Sequence, residues 1–387
     1  MSTLAEQIRG VSYKPSDLHD SLDKKAVTLL RANNIIDGMI NLDDVVYVDK
    51  KKVSLEQYLR KGDILLCTSS GSKTLVGKAA QIQFNGEYTF GAFCKVVRPT
   101  KISADYLGIY FQSPSYRHII STLAQGANIN NIKNEHIDTL LVNVYEENKQ
   151  KTITRIFEKI TSIIRMRQEE LWLLDNLVKA RFVEMFGDCV INQKGWKIKC
   201  LEDIAEVGSS KRVFVEELQD TGIPFYRGTE VGALAEGKYI EPELFITEQH
   251  YKELCDATGA PQIGDLLMPS ICPDGRIWVV DTDKPFYFKD GRVLWVHAID
   301  GSYNPVFLLY TLKDRIMTDY SSIASGTTFA ELKIFALKKC RIFDVPLELQ
   351  NQFATFVTQV DKSKAVVQQA LDEAQTLFDS LMQQYFG

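Results

Sequence analysis

The chain has 387 residues, of which 45% are hydrophobic and 25% are charged, and its formal net charge is −5. This composition predicts a soluble globular protein of two or three domains. The apolar runs fall far short of the roughly 18 to 20 residues that span a membrane, and the negative charge disfavours a general nucleic-acid binder, whose affinity rests on Lys and Arg.

The N-terminus shows no signal peptide, so we expect a cytoplasmic protein without membrane contact. The seven cysteines are scattered and never spaced as CxxC. This pattern indicates neither a disulfide framework nor a zinc site.

Four segments follow one another along the chain. Residues 1–146 contain the β-rich runs "VVYVDKKKV", "DILLCT" and "YTFGAFCKVV", then a helical pattern at 105–123; residues 147–187 form one long helical pattern. Residues 188–346 repeat this order with "RIWVVD", "RVLWVHAI" and a helical pattern at 305–323, and residues 347–387 are helical again. We predict an α+β protein with two globular segments, each followed by a long helix.

Both long helices carry an apolar stripe at spacings of three and four, and neither has an internal Gly or Pro. The first stripe comprises Ile153, Ile156, Ile160, Ile163, Leu171, Leu174, Leu177, Val178 and Met185; the second comprises Phe353, Phe356, Val360, Leu371, Leu377, Phe378 and Tyr385. Residues 148–187 carry 8 basic and 5 acidic side chains (+3), and 347–387 carry 2 and 5 (−3). We expect the two helices to pack as an antiparallel coiled coil; alternatively, each packs on its own globular segment.

The chain repeats itself with a period of about 200 residues. "LLRANNI" (29–35) matches "FYRGTEV" (225–231), "KGDILL" (61–66) matches "IGDLLM" (263–268), and "AQGANINNIKNEHIDTLLV" (124–142) matches "ASGTTFAELKIFALKKCRI" (324–342). This period is too long for a solenoid and fits a duplicated domain with its connecting helix.

Motifs of catalysis and cofactor binding are absent from the sequence. There is no GxxxxGK[ST], GxGxxG, HExxH or GxSxG pattern, and the five histidines are isolated. "NPVF" (304–307) is similar to a loop of adenine methyltransferases, but without a glycine-rich cofactor loop it predicts a turn before a helix. We therefore predict no catalytic residues, no metal and no bound cofactor.

The whole pattern resembles the specificity (S, HsdS) subunits of type I restriction-modification systems. The resemblance rests on "GWKIKCLEDIAEV" leading to "GIPFYRGTEV" and "IGDLLM", and on "LRKGDILLCTSSGSKTLVGKAA" leading to "AQGANINNIKNEHIDTLLV". It implies two tandem target recognition domains (1–146 and 188–346), each reading one half of a bipartite, asymmetric sequence in double-stranded DNA. The helices 147–187 and 347–387 would be conserved spacer arms.

The family resemblance also implies partners. Two modification (methyltransferase) subunits would dock on the repeated surfaces and supply S-adenosylmethionine, and restriction subunits would add ATP-driven translocation and cleavage. The chain itself would be a non-catalytic subunit. Two alternatives are a self-sufficient DNA-binding regulator, which would need its own basic surface, and a protein scaffold, which would show no sequence preference. An enzyme of unrecognised type is a further alternative.

Base edges are read by polar side chains that donate or accept hydrogen bonds. On that chemistry, the candidate DNA-binding residues are Tyr13, Lys14, Arg31, Asn33, Asn34, Ser69, Ser70, Ser72, Lys73, Asn128, Asn130, Asn131, Lys211, Arg212, Tyr226, Arg227, Thr229, Ser270, Arg276, Arg292, Thr327 and Thr328. For Arg227 the alternative is an ion pair with Glu230 that holds a loop in shape. Its repeat partner Arg31 favours this framework role, because a residue shared by two reading domains is a poor discriminator of bases.

Overall fold

The computed structural model describes residues 1–72, 75–123, 130–326 and 330–387. The chain divides into two compact units: unit 1 is Met1–Glu170 with Val367–Gly387, and unit 2 is Leu171–Val366. Two long helices, Glu147–Phe186 and Leu347–Phe386, run through this division. Both agree with the predicted helical ranges to within one residue. Within the described ranges, no helix is long and apolar enough to cross a membrane.

Unit 1 contains two four-stranded sheets. The first is antiparallel, in the order Ala5–Arg9, Cys94–Pro99, Ile64–Cys67 and Ala79–Gln81. The second has the order Tyr88–Phe90, Ala26–Leu30, Val46–Asp49 and Leu18–His19, with its first two strands parallel. Two short pairs join Ser69–Ser70 to Asn130–Asn131 and Ile35–Ile36 to Met39–Ile40.

The helices of the first globular segment are Ala104–Tyr110, Pro114–Leu123 and Asn134–Asp138. The single helical stretch predicted over 105–123 is wrong in one respect, because it is broken between Tyr110 and Pro114. Proline disfavours helical backbone in the residue before it. Ser113 instead caps the new helix, and its hydroxyl accepts a hydrogen bond from the Tyr116 amide at 3.1 Å.

Unit 2 contains a corresponding antiparallel sheet in the order Glu206–Gly208, Val293–His297, Leu266–Pro269 and Trp278–Val279. A second sheet places Ile223–Tyr226 between Phe245–Ile246 and Tyr287–Phe288. Further pairs join Lys197–Cys200 to Arg341–Asp344 and Ala324–Ser325 to Glu331–Leu332. Both units therefore mix helices and sheets, as the α+β prediction requires.

The shorter helices of unit 2 are Gly228–Ala235, Glu248–Thr258, Pro305–Ile323 and Ile334–Lys338. The predicted turn at "NPVF" is confirmed, since the Asn304 side chain accepts from the Val306 amide at 2.9 Å and Pro305 is the first helical residue. Asp319 has non-helical backbone angles and marks a kink in this helix.

The long helices pack against each other and against the globular part within each unit. In unit 1, Phe157 near the start of the first long helix contacts Phe378 and Phe386 near the end of the second. In unit 2, Phe182 and Phe186 contact Phe353 near the start of the second helix. These rings belong to the main hydrophobic core of their own unit, so the helix-to-helix contact and the helix-to-globule contact occur together.

Part of the predicted apolar stripe lies outside these cores. Ile163, Leu177 and Leu377 are exposed, whereas Val178 is buried. Successive helical residues point about 100° apart, so residues at the margin of a stripe turn away from a narrow contact. In unit 2, Lys364 of the second helix forms an ion pair with Asp175 of the first at 2.7 Å. The net charges of the two segments predict basic residues of the first helix paired with acidic residues of the second. In this pair the acidic residue lies on the first helix and the basic residue on the second.

The repeat is also visible in buried hydrogen bonds. The Gln150 side chain accepts from the Ser103 amide at 3.0 Å, and Gln350 accepts from the Asn304 amide at 2.8 Å. Each glutamine also donates to a backbone carbonyl five residues earlier, at 2.7 Å in both units. The start of each long helix is thereby tied to its own globular segment in the same way.

Candidate nucleic-acid interface

Arg31 and Arg227 occupy the same place in the two units, directly after the strands Ala26–Leu30 and Ile223–Tyr226. The Arg31 amide donates to the Asn34 side chain at 2.8 Å, and the Arg227 amide donates to the Glu230 carboxylate at 2.9 Å. A side chain three residues along thus caps the helical turn that follows each arginine.

The guanidinium groups are held by carboxylates. Arg31 Nη2 lies 3.1 Å from Asp44, and Arg227 bonds Glu230 through Nε at 2.9 Å and Glu243 through Nη2 at 2.9 Å. The Glu230 hydrogen bond raises the pKa of Arg227. The structure therefore agrees with the alternative role of Arg227, in which an ion pair with Glu230 holds the loop in shape.

A cleft of about 420 Å³ lies beside Arg31 in unit 1. Four predicted residues line it: Tyr13, Arg31, Asn33 and Ser69. The Asn33 amide group donates to Asp44 at 2.6 Å, so Asp44 bridges the arginine and the asparagine. Phe93 also lines this cleft.

A cleft of about 630 Å³ lies beside Arg227 in unit 2. Five predicted residues line it: Arg227, Thr229, Ser270, Arg276 and Arg292. Arg276 is paired with Asp274 at 2.8 Å and Arg292 with Glu331. Three arginine guanidinium groups therefore border this cleft, and each lies next to a carboxylate.

The other described candidates lie outside the linings of these two clefts. Lys14, Lys211 and Arg212 are exposed, and Arg212 pairs with Asp290 at 3.0 Å beside a smaller cavity of about 310 Å³. Ser70 is half-buried and its hydroxyl accepts from the Ser72 amide at 3.1 Å. Asn131 is exposed and pairs with Ser69 in a short strand pair. Asn130 pairs with Ser70 through its backbone.

Three of the candidates have side chains that pack or hydrogen-bond within the fold. Asn34 is only 1% exposed, and its amide group donates to the carbonyls of Asn41 and Asp44 at 2.9 Å each. Ser270 is buried at the floor of its cleft. Successive residues of a strand face opposite sides of a sheet. The Tyr226 side chain lies on the side of Trp278 and Phe286, and its ring packs on both. The reading role proposed for the buried Asn34 and Ser270 is corrected to a structural one, and that of the half-buried Tyr226 stays a prediction.

Four further candidates, Lys73, Asn128, Thr327 and Thr328, lie outside the described residues. Among the lining residues that sequence reasoning missed are Phe93 in the first cleft and Lys289 in the second. The only sequence signal for Phe93 was its place between two small-residue positions in "GAFC". An aromatic residue next to a buried strand is ordinarily assigned to the core.

The chain matches a family described as type I restriction modification DNA specificity domain over residues 193–375. It is 36% identical over 180 residues to the StySPI specificity subunit of Salmonella potsdam, covering 46% of this chain and 39% of that one. It is 39% identical over 165 residues to the EcoKI specificity subunit of Escherichia coli K12, covering 42% of this chain and 35% of that one. The match thus spans well under half the length of these relatives.

Two solved structures share the fold along nearly the whole chain. The S subunit of a type I system from M. genitalium aligns with a TM-score of 0.57 at 12% identity, covering 100% of this chain and 94% of that one. A second chain, from a type I restriction-modification assembly, aligns at 0.55 and 16% identity, covering 99% and 97%. Residues 193–375 therefore match the type I restriction modification DNA specificity domain, and the chain shares the fold of the S subunit from M. genitalium.

Proposed function

We propose that this chain is the non-catalytic subunit that gives a type I restriction-modification complex its DNA sequence preference. Residues 1–146 and 188–346 would each be a target recognition domain that reads one half of a bipartite, asymmetric target. The observation that carries this proposal is the pair of clefts beside Arg31 and Arg227. Their frameworks match, whereas the side chains around them differ.

Matched frameworks with different linings suit two readers of different half-sites. The shared arginines shape the loops, and the residues that vary between the repeats meet the base edges. The first cleft presents Arg31 and Asn33, and the second presents Arg227, Arg276 and Arg292. Arginine forks and amide groups are the side chains that bond base edges, so these linings favour DNA over the scaffold alternative.

The long helices would serve as spacer arms packed as an antiparallel coiled coil. Contacts of Phe157 with Phe386 in unit 1 and of Phe186 with Phe353 in unit 2 support this pairing. Each arm is tied to its globular segment by Gln150 or Gln350.

Two similar surfaces on one chain would allow two modification subunits to dock. Each modification subunit would contribute S-adenosylmethionine, and restriction subunits with their ATP would join the full assembly. Such a complex acts in the cytoplasm.

Charge pairing in the second cleft predicts weak DNA binding by the isolated chain. Arg227, Arg276 and Arg292 each have a carboxylate neighbour, and so does Arg212 beside the smaller cavity. A phosphate would have to replace that neighbour, and the net charge of −5 adds repulsion. The modification subunits would then provide much of the phosphate neutralisation. A nanomolar, sequence-specific complex of the chain alone at physiological salt would favour the self-sufficient regulator instead.

The decisive experiment is co-expression with the cognate modification subunit, followed by mapping of adenine methylation across the host genome at single-base resolution. We expect a motif with two defined halves and a fixed gap. Exchange of residues 1–146 for those of another specificity subunit should change one half of the motif only. A complex that assembles but produces no motif would support the scaffold reading.

A further inference from the structure

Phe93 and Arg292 hold the same place in the two units, as shown by the backbone around them. The Phe93 carbonyl accepts from the Thr68 amide at 2.9 Å, and the Arg292 carbonyl accepts from the Ser270 amide at 2.9 Å. Each residue directly precedes the central strand of its sheet, Cys94–Pro99 or Val293–His297. The chemistry at this one place is apolar and aromatic in unit 1 and cationic in unit 2.

A second pair of equivalent residues lies on the adjoining segment. The Thr68 carbonyl accepts from the Ile132 amide at 2.8 Å, and the Ser270 carbonyl accepts from the Leu332 amide at 2.7 Å. The residues just before these donors are Asn131 and Glu331. Thr68 and Ser270 therefore connect the two positions through the same two hydrogen bonds in both units. Phe93 corresponds to Arg292, and Asn131 corresponds to Glu331.

All four side chains are accessible to a ligand. Phe93 is 71% exposed, which is unusual for so large an apolar ring, and Asn131 is also exposed. The Arg292 side chain is 59% exposed and its guanidinium is paired with the Glu331 carboxylate, which is 29% exposed. This ion pair shows that side chains from the two positions meet in unit 2.

Each pair of side chains matches the major-groove edge of one base pair. Asparagine bonds adenine N6 and N7, and an aromatic ring contacts the thymine methyl group; arginine bonds guanine O6 and N7, and glutamate accepts from cytosine N4. We infer that Phe93 with Asn131 selects an A·T pair in the first half-site, and that Arg292 with Glu331 selects a G·C pair in the second. This inference rests on the proposed function and adds the base pair that each domain reads at this position.

The test is to transplant one pair into the other unit and map the methylation motif of the assembled complex. The double variant Phe93→Arg/Asn131→Glu should change one A·T requirement in the first half of the motif to G·C and leave the second half unaltered. The reciprocal Arg292→Phe/Glu331→Asn should do the converse. Leu55→Arg is the matched control, since Leu55 is 89% exposed and lies outside the lining of the first cleft; its motif should equal that of wild type.

A charge-conserving variant covers the case in which a transplanted complex methylates nothing. Arg292→Lys keeps the positive charge but loses the two-pronged fork. We expect discrimination at one G·C position of the second half-site to fall on the order of 10-fold or more, with other positions unchanged. A uniform loss at all positions would make Arg292 a phosphate contact and overturn the inference.

The outcomes distinguish a failure of the proposed function from a failure of the assignment of these four residues. If the wild-type complex yields no motif, the proposed function fails. If wild type yields a bipartite motif that neither transplant nor Arg292→Lys alters, the function stands and the assignment of these four residues is wrong.

Discussion

Arg98 and Asp63 form a buried, two-pronged ion pair in unit 1, with Nε to Oδ1 at 2.8 Å and Nη2 to Oδ2 at 2.7 Å. Arg98 Nη2 also donates to the Tyr58 carbonyl at 2.9 Å, and the second Asp63 oxygen caps the turn at Arg60. In unit 2 the place of Asp63 is taken by Asp265, whose Oδ2 accepts from the Trp295 indole at 2.9 Å. The same aspartate of the repeat therefore has a charged partner in one unit and a neutral partner in the other.

Replacing Asp63 with Asn should strongly destabilise unit 1. The substitution leaves the Arg98 guanidinium buried without its counter-charge, and breaking a buried pair in this way costs roughly 3 to 5 kcal/mol. Denaturant unfolding would measure the loss in free energy of unfolding. Asp44→Asn, which removes the exposed partner of Arg31, is the control and should cost less than about 1 kcal/mol. Equal losses for the two variants would contradict the larger contribution of the buried ion pair to the stability of unit 1.

Asp265→Asn should be tolerated, unlike Asp63→Asn. Both the Gln262 amide and the Trp295 indole donate to the same oxygen, Oδ2, at 2.9 Å, so an asparagine oxygen placed there keeps both bonds. Burial raises the pKa of Asp265 above its ordinary value of 3.8. The wild-type protein should therefore lose stability relative to the variant as pH rises from 3.8 through the folded pKa, and the difference should then stay constant.

Thermal unfolding of wild type and Asp265→Asn across acidic to neutral pH would check this sign. The unfolding temperature of the variant minus that of wild type should rise with pH and then level off. A variant that becomes relatively less stable as pH rises would mean that the ionised carboxylate is favoured in the fold.

Gln350→Ala should loosen the junction between the second long helix and its globular segment. Gln350 is fully buried and holds the Asn304 amide and the Val345 and Ser302 carbonyls. Unpaired buried backbone groups should lower the free energy of unfolding by roughly 2 to 3 kcal/mol. Amide hydrogen exchange at residues 302–306 would locate the effect. Gln369→Ala, which removes only an exposed bond to Glu373, should leave that exchange unchanged.

Arg227→Ala should lower methylation at all target sites without changing the motif. Its guanidinium is committed to Glu230 and Glu243, so its removal disturbs the loop that shapes the second cleft and leaves the base-reading side chains in place. Methylation mapping combined with the extent of modification per site would separate the two effects. Lys252→Ala, at an exposed residue outside the lining of the second cleft, is the control and should change neither the motif nor the extent of modification. A motif altered at one base would assign Arg227 a direct reading role.

Helices and strands were largely predictable because their signals are local. The long helices follow from apolar residues spaced three and four apart, and the strands Ile64–Cys67 and Val293–His297 fall inside predicted β-rich runs. The break before Pro114 had a local signal that the helical pattern obscured. The correspondence of Arg31 with Arg227 followed from the repeat alone.

The directions of the site side chains were less predictable because they depend on distant partners. Tyr226 and Arg227 are neighbours in sequence, yet Tyr226 faces away because Trp278 and Phe286 complete an aromatic cluster on that side. Asn34 turns inward because the carbonyls of Asn41 and Asp44 lie within reach of its amide. Phe93 stays exposed although the next residue, Cys94, is buried.

The sequence by itself predicted the two long helices, an internal duplication and a family resemblance, since each rests on a pattern of residue types along the chain. The tertiary structure alone decided which polar and aromatic side chains border each cleft and which arginines are already paired with carboxylates. Those outcomes depend on burial and hydrogen bonding between residues far apart in sequence, and no periodicity along the chain records them.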